Sequence, residues 1–302
     1  MKHQQILPLA TALGILIVLA GCGRKTDPAY VAEVDQWHAT RLERLSSETG
    51  WLTLVGLHPL ADGRNVIGSG PEAGVRMIDK APALVGEIVV TSGKAALLVD
   101  PDCEVLVVGR EDEGAVSSLI LATDLLGPPT VLACRSLVFY VIDRNGQLFL
   151  RVKDREAATL QNFTGIERFP VDARWRITAR LEGEPGTVEV PDVLGNRSPS
   201  STPGVLVFRL DGKEYRLTPT GEPGSPMFLV FGDATNGPAT YPGGRFLTVD
   251  APAADGTVTI DFNRAYNPPC VFTAYATCPL PSAGNTLPVA VEAGERKWGQ
   301  DH

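Results

Sequence analysis

Histidine is scarce in this sequence, and its positions argue against the commonest hydrolytic sites. Of the four histidines in 302 residues, His3 lies in an apolar leader, His38 in a predicted helix and His302 at the end of the chain. Only His58 is left for a buried site, whereas a zinc site takes three or four His, Cys or carboxylate ligands and a Ser-His-Asp triad needs a positioned histidine. The sequence also has no G-x-S-x-G motif. We therefore expect no metal site, and neither a zinc hydrolase nor a serine hydrolase.

Phosphate-binding glycine loops and an excess of basic residues are missing as well. The chain has no G-x-x-x-x-G-K-S/T and no G-x-G-x-x-G leading into a helix, which are the loops that hold nucleotide phosphates. We expect no cofactor. Acidic residues number 35 against 27 Lys and Arg, giving a formal net charge of −8. Because nucleic-acid binding needs a cationic patch, nucleic acid is excluded as a partner.

The one long apolar run, from Ile6 to Ala20, lies at the N-terminus and is too short for a typical transmembrane helix. Lys2 precedes it and Leu19-Ala20-Gly21-Cys22 ends it, which is the pattern of a bacterial lipoprotein signal. Resemblance to the lipobox implies cleavage before Cys22 and diacylation of that residue. Gly23 in place of an Asp implies sorting to the outer membrane. The sequence thus predicts a signal over residues 1–21, a polar tether over 22–29 and a membrane partner bound through the lipid, with the protein on the periplasmic face.

Only one long helix is indicated, from about Tyr30 to Ser47. Apolar residues recur there at spacings near three and four, at Tyr30, Val34, Trp37 and Leu45. Gly50 is predicted to end the helix as its C-cap. The apolar stripe is expected to pack on the sheet.

Beyond Trp51 the pattern changes to short runs of Val, Ile, Leu and Phe separated by Gly, Pro, Asp and Asn. Such runs are typical of strands, and Asn145-Gly146 and Asp211-Gly212 are hairpin signals. The sequence predicts a mainly β protein with β-sandwich or barrel-like lobes and one N-terminal amphipathic helix. Residues 30–302 form a single unit, with lobe 1 at about 51–168 and lobe 2 at about 169–296, because no linker separates them. The predicted strands are 52–57, 65–68, 86–91, 95–99, 104–108, 118–122, 137–143, 147–153, 175–182, 187–190, 204–210, 214–218, 227–231, 246–250 and 257–262.

Polar residues are concentrated in the segment from Phe231 to Glu295. Four glycines between positions 232 and 244 allow tight turns, so Asp233, Tyr241 and Arg245 are candidate catalytic residues on one pocket wall. An arginine can clamp a carboxylate or phosphate bidentately, and a neighbouring aspartate stays ionised as a base or orienting group. The alternative is that Asp233 and Arg245 pair with each other and brace the loop.

A second polar stretch precedes Pro268-Pro269, which removes two backbone donors and fixes an extended exit. Asn263, Arg264 and Asn267 are candidate ligand-binding residues there. The two asparagines could equally brace the turn. Arg264 is the better ligand candidate, because a turn brace needs only a short side chain.

With Cys22 assigned to the lipid, four cysteines remain. An even number in an oxidising compartment indicates disulfides, and the local pairing Cys103–Cys134 with Cys270–Cys278 is favoured among three connectivities. Alternatively, Cys270 is a nucleophile whose pKa is lowered by a nearby cation such as Arg264.

Five motifs occur in the order G-W-L-T-L-V-G-L (50–57), L-R-V-K-D (150–154), F-T-G-I-E-R-F-P-V-D (163–172), F-G-D-A-T-N-G (231–237) and D-F-N-R-A-Y-N-P-P-C (261–270). This order resembles the DUF1684 family over residues 42–295. The family has no known function, so the resemblance supplies no catalytic residue. His58 departs from the family pattern, which more often has an aromatic in this neighbourhood. The resemblance implies family-typical residues at Asp233, Thr235, Tyr241, Arg245, Asn263, Arg264, Asn267, Cys270 and Cys278.

Two functions from different classes remain open. The first is an envelope lipoprotein whose C-terminal motif forms a pocket for a small anionic or polar ligand, with a hydrolase activity that uses neither zinc nor a triad as one candidate. The second is a non-catalytic structural or assembly lipoprotein in which the same residues lock the last loops over the sheet. An open concavity lined by Asp233, Arg245, Arg264 and Asn267 would favour the first, and burial of these groups in mutual hydrogen bonds would favour the second.

Overall fold

The computed structural model describes residues 26–299, which begin with helix α1 at Pro28–Leu45. The predicted signal peptide and Cys22 lie outside the described residues. Asp27 caps the helix by accepting a hydrogen bond from the Ala29 N–H at 2.9 Å. Proline at the first helical position is favoured because its missing N–H would have no partner there. This cap starts the helix two residues before the predicted Tyr30.

The end of α1 differs from the prediction. The helix ends at Leu45, and the Ser46 N–H donates to the Leu42 carbonyl at 3.0 Å. Gly50 has an extended φ of −67° and precedes a 3₁₀ turn at Trp51–Thr53, so it is not the C-cap. Glycine fits this position for a different reason: a Cβ there would lie 2.1 Å from the Leu45 carbonyl oxygen.

Lobe 1 is a sandwich of two five-stranded sheets with the orders β1-β10-β9-β8-β6 and β3-β2-β4-β5-β7. Buried residues from both sheets, including Ile67 and Ile88 on one and Leu132, Phe139 and Leu150 on the other, form one hydrophobic core. Burying two apolar sheet faces against each other is what alternating strands require. The strands are β1 (Leu54–Pro59), β2 (Gly63–Gly68), β3 (Val75–Arg76), β4 (Gly86–Thr91), β5 (Lys94–Val99), β6 (Leu106–Val107), β7 (Ser118–Leu121), β8 (Leu132–Cys134), β9 (Leu137–Arg144) and β10 (Gln147–Asp154).

Lobe 2 follows a one-turn helix α2 at Ala158–Gln161. It contains a four-stranded sheet with the order β15-β14-β11-β18 and two hairpins, β12-β13 and β16-β17. The aromatic residues Trp175, Phe208, Phe231 and Phe262 lie in its separate core. The strands are β11 (Arg176–Glu182), β12 (Gly186–Pro191), β13 (Arg197–Thr202), β14 (Val205–Leu210), β15 (Lys213–Leu217), β16 (Met227–Phe231), β17 (Arg245–Val249) and β18 (Thr257–Asp261).

Helix α1 precedes lobe 1 in sequence but is attached to lobe 2. The Tyr30 hydroxyl donates to Asp261 Oδ1 at 2.7 Å, and it accepts from Asn263 Nδ2 at 2.9 Å. Arg168 also pairs with Asp35 on the outer face of the helix. These contacts fix the angle at which the helix crosses the edge of lobe 2.

The prediction of a mainly β protein with sandwich-like lobes and one N-terminal amphipathic helix is confirmed. Over residues 26–299 neither lobe closes into a barrel, because each sheet ends in strands that do not pair with each other. Among residues 26–299, no helix has both the length and the apolar character that a membrane span requires.

Candidate functional site

Asp233 and Arg245 form an ion pair inside lobe 2. Asp233 Oδ2 lies 2.8 Å from Arg245 Nη2, and both side chains have zero solvent exposure. Burial lowers the pKa of Arg245, and the neighbouring Asp233 charge opposes that shift. The residues therefore do not present their charges to a solvent-filled cleft.

Backbone groups of the last segment complete this pair. Asp233 Oδ1 accepts from the Thr235 N–H at 2.8 Å, the Thr235 hydroxyl at 2.6 Å and the Val291 N–H at 3.1 Å. Arg245 donates to the Val291 carbonyl at 2.9 Å and to the Ala293 carbonyl. Hydrogen bonds to both ions are the condition under which a buried pair is tolerated. The arrangement binds residues 291–293 to the β16-β17 hairpin.

Tyr241 is not beside this pair. Its side chain lines a separate cavity with Cys270 and Phe272, and burial raises the pKa of its phenol. The expected convergence of Asp233, Tyr241 and Arg245 on one pocket wall is corrected accordingly. The cause is that β17 begins at Arg245 and turns its side chain into the core.

Asn263 and Arg264 attach helix α1 to lobe 2. Asn263 is buried, donates to the Asp172 carbonyl at 3.0 Å and accepts from the Asp172 N–H at 3.1 Å. Arg264 pairs with Glu33 of α1 and lies 3.5 Å from Asp261 Oδ2. Arg264 is therefore already neutralised by two carboxylates. The suggestion that it serves as the cation for Cys270 loses its basis.

Asn267 and Glu295 hold the end of the chain, and Glu295 was missed by sequence reasoning. The Asn267 amide donates to the Arg296 carbonyl at 2.7 Å, and its backbone N–H donates to Glu295 Oε2 at 2.7 Å. Glu295 is 1% exposed and accepts from Arg41 Nε at 2.6 Å.

The four cysteines of the described region are free thiols, so the predicted disulfides are absent from this structure. Cys103 Sγ and Cys134 Sγ lie 3.5 Å apart, well beyond the roughly 2.05 Å of a disulfide bond. The Cys270 N–H donates to Cys278 Sγ at 3.1 Å. The predicted partners are thus neighbours, in contact but not bonded.

A polar groove beside helix α1 has a volume of ≈ 550 Å³. It lies between the C-terminal half of α1, the Thr49–Trp51 segment and two lobe 2 residues, Thr248 and Tyr266. None of its lining residues is acidic. The lining consists of Gln36, Trp37, Thr40, Arg41, Arg44, Leu45, Ser47, Thr49, Gly50, Trp51, Thr248 and Tyr266.

The two arginines of this groove differ in their partners. Arg41 is paired with Glu295, and its guanidinium carbon lies 4.4 Å from the centre of the Tyr266 ring. Arg44, one helical turn later, is exposed and has no carboxylate partner within residues 26–299. The Trp37 and Tyr266 rings lie 6.3 Å apart at the groove. The groove combines a free guanidinium with aromatic surfaces.

Two further cations are buried behind Trp51. Arg151 and Lys153 on β10 are 5% and 7% exposed. The Arg151 guanidinium lies 5.3 Å from the Trp51 ring, and its buried Nε has no hydrogen-bond partner. Lys153 donates to the Thr49 carbonyl, and burial together with Arg151 lowers the pKa of Lys153 to about 8. Across the described chain neither cation has a carboxylate partner. Arg151 and Lys153 lie two positions apart in L-R-V-K-D, a spacing that places both side chains on one face of a strand. This spacing is the sequence signal for the pair.

No cluster of three or more His, Cys, Asp and Glu suited to a metal ion occurs between residues 26 and 299. The polar groove offers hydroxyls, amides and guanidiniums. These groups suit an anion or a hydrogen-bonding organic molecule.

Comparison with known proteins gives a family and a similar solved structure. Residues 161–296 match the sequence model of DUF1684, a family of proteins of unknown function. The match covers lobe 2 and is shorter than the expected 42–295. A solution NMR structure of an uncharacterized protein of Haloarcula marismortui is 31% identical, with 45% of this chain and 78% of that chain covered and a TM-score of 0.37. A search of curated proteins returned no match.

Proposed function

We propose that this chain, which belongs to the DUF1684 family through residues 161–296, binds a small anionic ligand in the groove beside helix α1. The observation that carries the proposal is Arg44, a groove cation with no carboxylate partner in the described chain. A guanidinium offers a fork that matches a carboxylate or a phosphate. The ligand class is therefore an organic carboxylate or phosphate.

The aromatic lining adds a second requirement on the ligand. Trp37, Trp51 and Tyr266 all face the groove, and such rings stabilise flat apolar bodies by stacking and by burial of area. A ligand that has an aromatic or planar portion beside its anionic group uses both features. Inorganic anions use only the arginine.

The charge balance of the whole protein makes this groove distinctive. The chain has a formal net charge of −8, yet no acid lines the groove, and Arg151 and Lys153 are buried behind Trp51. A local cationic cleft on an acidic protein concentrates small anions at that cleft. This supports binding at the groove and not at the general surface.

The family motif residues have a supporting role in the proposal. Glu295 orients Arg41, and Asn267 follows Tyr266 and donates to the Arg296 carbonyl. These contacts position one wall of the groove. No His, Cys, Asp or Glu lines the groove to act as a general base. We therefore propose binding without hydrolysis.

Anchoring to the outer membrane through a diacylated Cys22 is part of the same proposal and rests on the lipobox. The Thr26 hydroxyl accepts a hydrogen bond from the Ala173 N–H of lobe 2 at 3.2 Å. The chain from Cys22 to Thr26 spans at most about 14 Å. Lobe 2 would then lie against the periplasmic face of the membrane.

The test is isothermal titration of the soluble 23–302 fragment with phenyl phosphate, benzoate and inorganic phosphate. We expect phenyl phosphate to bind most tightly, and Arg44→Gln to weaken it about tenfold through loss of one charge-assisted contact. Arg209→Gln, which removes an exposed arginine of β14, is the matched control and should bind normally. Equal losses in both variants, or no binding of any probe to the wild type, would contradict the proposal.

A further inference from the structure

Cys270 and Cys278 are arranged asymmetrically. Cys270 is half-buried and lines a cavity of ≈ 700 Å³, whereas Cys278 is 4% exposed. The Cys270 N–H donates to Cys278 Sγ at 3.1 Å. One sulfur of the pair is therefore reachable from a cavity, and the other is covered.

The cavity beside Cys270 is mainly apolar. Tyr241, Phe272 and Trp298 contribute aromatic surface to this cavity, and Leu54 and Val55 of β1 also line it. A molecule that reaches Cys270 from this side contacts rings and aliphatic carbons. The site therefore favours a small partner with an aromatic or apolar body.

Accessibility divides the two thiols into a nucleophile and a resolving group. Cys270 lines the cavity, and its Sγ donates to the Ala276 carbonyl at 3.5 Å, whereas Cys278 is covered and accepts from the Cys270 N–H. The neighbouring Cys278 thiol lowers the pKa of Cys270, and a thiolate reacts where a thiol does not. Cys270 is therefore the sulfur that a small disulfide meets first.

A buried cation lies near Cys278: the Arg151 guanidinium is 5.3 Å from the Trp51 ring, and that ring packs against the buried cluster that contains Cys278. The charge of Arg151 acts to lower the pKa of Cys278, against the larger effects that raise it. Arg151 is 5% exposed, and its Nε has no hydrogen-bond partner. When Cys278 loses its proton, Arg151 stabilises the resulting thiolate. Arg151 can do so because no carboxylate of the described chain already neutralises it.

We propose that Cys270 and Cys278 form a thiol–disulfide exchange site for a small disulfide or thiol with an aromatic or apolar body. Cys270 is the catalytic nucleophile at the cavity, Cys278 is the buried resolving cysteine, and Arg151 is a positioning residue that acts through Cys278. This site is separate from the α1 groove and does not depend on ligand binding there.

The exchange balances in two steps. The Cys270 thiolate attacks a disulfide RSSR, the S–S bond breaks, and a mixed disulfide Cys270–S–SR forms with release of RS⁻. Cys278 gives its proton to a released thiolate and attacks Cys270 Sγ, which breaks the mixed disulfide and releases the second RS⁻. Two electrons pass from the protein dithiol to RSSR, and one RSH and one RS⁻ leave; the RS⁻ takes from solvent the proton that Cys270 lost when it ionised. The reverse sequence reduces the protein when RSH is in excess.

The chain contains its own control pair. Cys103 and Cys134 are also in contact, with sulfurs 3.5 Å apart. Burial and the Cys134 contact raise the pKa of Cys103 to about 12. The two sulfurs of this pair are as close as a resolving step needs, but the raised pKa of Cys103 leaves little thiolate. Its reaction with a small disulfide should therefore be slow.

The test uses the reduced full-length protein and 5,5′-dithiobis(2-nitrobenzoic acid), an aromatic disulfide, with peptide mass spectrometry to locate the adducts. In a Cys278→Ala variant we expect a stable mixed disulfide at Cys270, formed at least about tenfold faster than any adduct at Cys103 or Cys134. In a Cys270→Ala variant, Cys278 should remain unmodified. The wild type should end with a Cys270–Cys278 disulfide, whose formation releases two thionitrobenzoate anions.

The role of Arg151 is tested separately by the rate of the second thionitrobenzoate release. Arg151→Met should slow that step about tenfold and leave the first step unchanged, while Arg209→Met should change neither. Because a buried cation without a partner is being replaced by an apolar side chain of similar length, folding should be retained. Modification of Cys278 in the Cys270→Ala variant, or faster adduct formation at Cys103 and Cys134, would overturn the proposal. A Cys270–Cys278 pair that reacts only after unfolding would overturn it as well.

Discussion

Asp233 and Arg245 are joined by a 2.8 Å contact in which both side chains are fully buried. The pair links the end of β16 to the start of β17, and through Val291 it also fixes the final segment of the chain. Asp233 and Arg245, which the sequence predicts to line a pocket, thus lie in the core of lobe 2. This relationship moves the ligand hypothesis away from the family motif and to the groove beside α1.

Arg245→Lys should destabilise the protein strongly. Lysine keeps the charge but loses the second and third hydrogen bonds that the guanidinium donates to the Val291 and Ala293 carbonyls. Disrupting a buried pair lowers the free energy of unfolding by about 3 to 5 kcal/mol. Urea unfolding measures it. Arg209→Lys on the surface should stay within about 0.5 kcal/mol of wild type, and a similar small change for Arg245→Lys would refute the bracing role.

Gly294→Ala should be more harmful than Gly299→Ala. Both glycines have a positive φ, at +74° and +79°. A Cβ at Gly294 would lie 2.4 Å from the Ala265 carbonyl oxygen, whereas one at Gly299 meets open space. Gly299→Ala should show only the backbone strain of about 1 kcal/mol, and Gly294→Ala clearly more. Equal unfolding midpoints for the two variants would mean that the Glu295 segment is not held as described.

The pH dependence of stability should report on Lys153. Burial, with Arg151 as second cause, lowers the pKa of Lys153 from 10.5 to about 8. Between about pH 8 and 10.5 the unfolded chain therefore binds more protons than the folded chain, so the free energy of unfolding rises with pH in this window. Below about pH 8 both states are protonated, and the whole cost of burying the charge is present.

Lys153→Met should remove most of that rise and stabilise the protein at pH 7 by roughly 3 kcal/mol. The groups around the ammonium are the Arg151 guanidinium, the Trp51 and Tyr140 rings and the Thr49 carbonyl. Lys94→Met at the exposed start of β5 is the control. Unfolding curves from pH 7 to 10.5 decide the point, and a Lys153→Met protein less stable than wild type at pH 7 would show that the ammonium is stabilising.

Much of the fold could be predicted from local pattern. Each strand predicted from short β-branched runs coincides with an observed strand. The missed strands are instructive: β13 (Arg197–Thr202) reads R-S-P-S-S-T without an apolar alternation and pairs only with β12. A strand in an exposed two-stranded hairpin has no buried face, so no periodicity marks it.

The site could be predicted only in part. The pairing of Asp233 with Arg245 was one of two local alternatives, because the two residues are 12 positions apart and three glycines lie between them. The contact of Arg41 with Glu295 joins residues 254 positions apart. Sequence spacing carries no information about such a contact. The groove exists only because α1 crosses back to lobe 2, and that crossing is a tertiary event.

Membrane attachment has a simple test. Cys22→Ser removes the thiol that the lipobox pattern assigns to acylation. We expect the protein to leave the outer-membrane fraction or to accumulate uncleaved, since one or more acyl chains supply the membrane affinity. Fractionation and metabolic labelling with palmitate measure both outcomes. Wild-type protein that is free in the periplasm would contradict the anchor.

Comparing Arg44→Gln with Arg245→Lys by two measurements, phenyl phosphate affinity and unfolding midpoint, separates ligand binding from bracing. We predict that Arg44→Gln loses about tenfold in affinity with an unchanged midpoint. Arg245→Lys should lose stability but bind phenyl phosphate normally at a temperature where it is folded. Folded Arg245→Lys protein that fails to bind, together with an Arg44→Gln variant that binds normally, would contradict this prediction and place the ligand at the family motif.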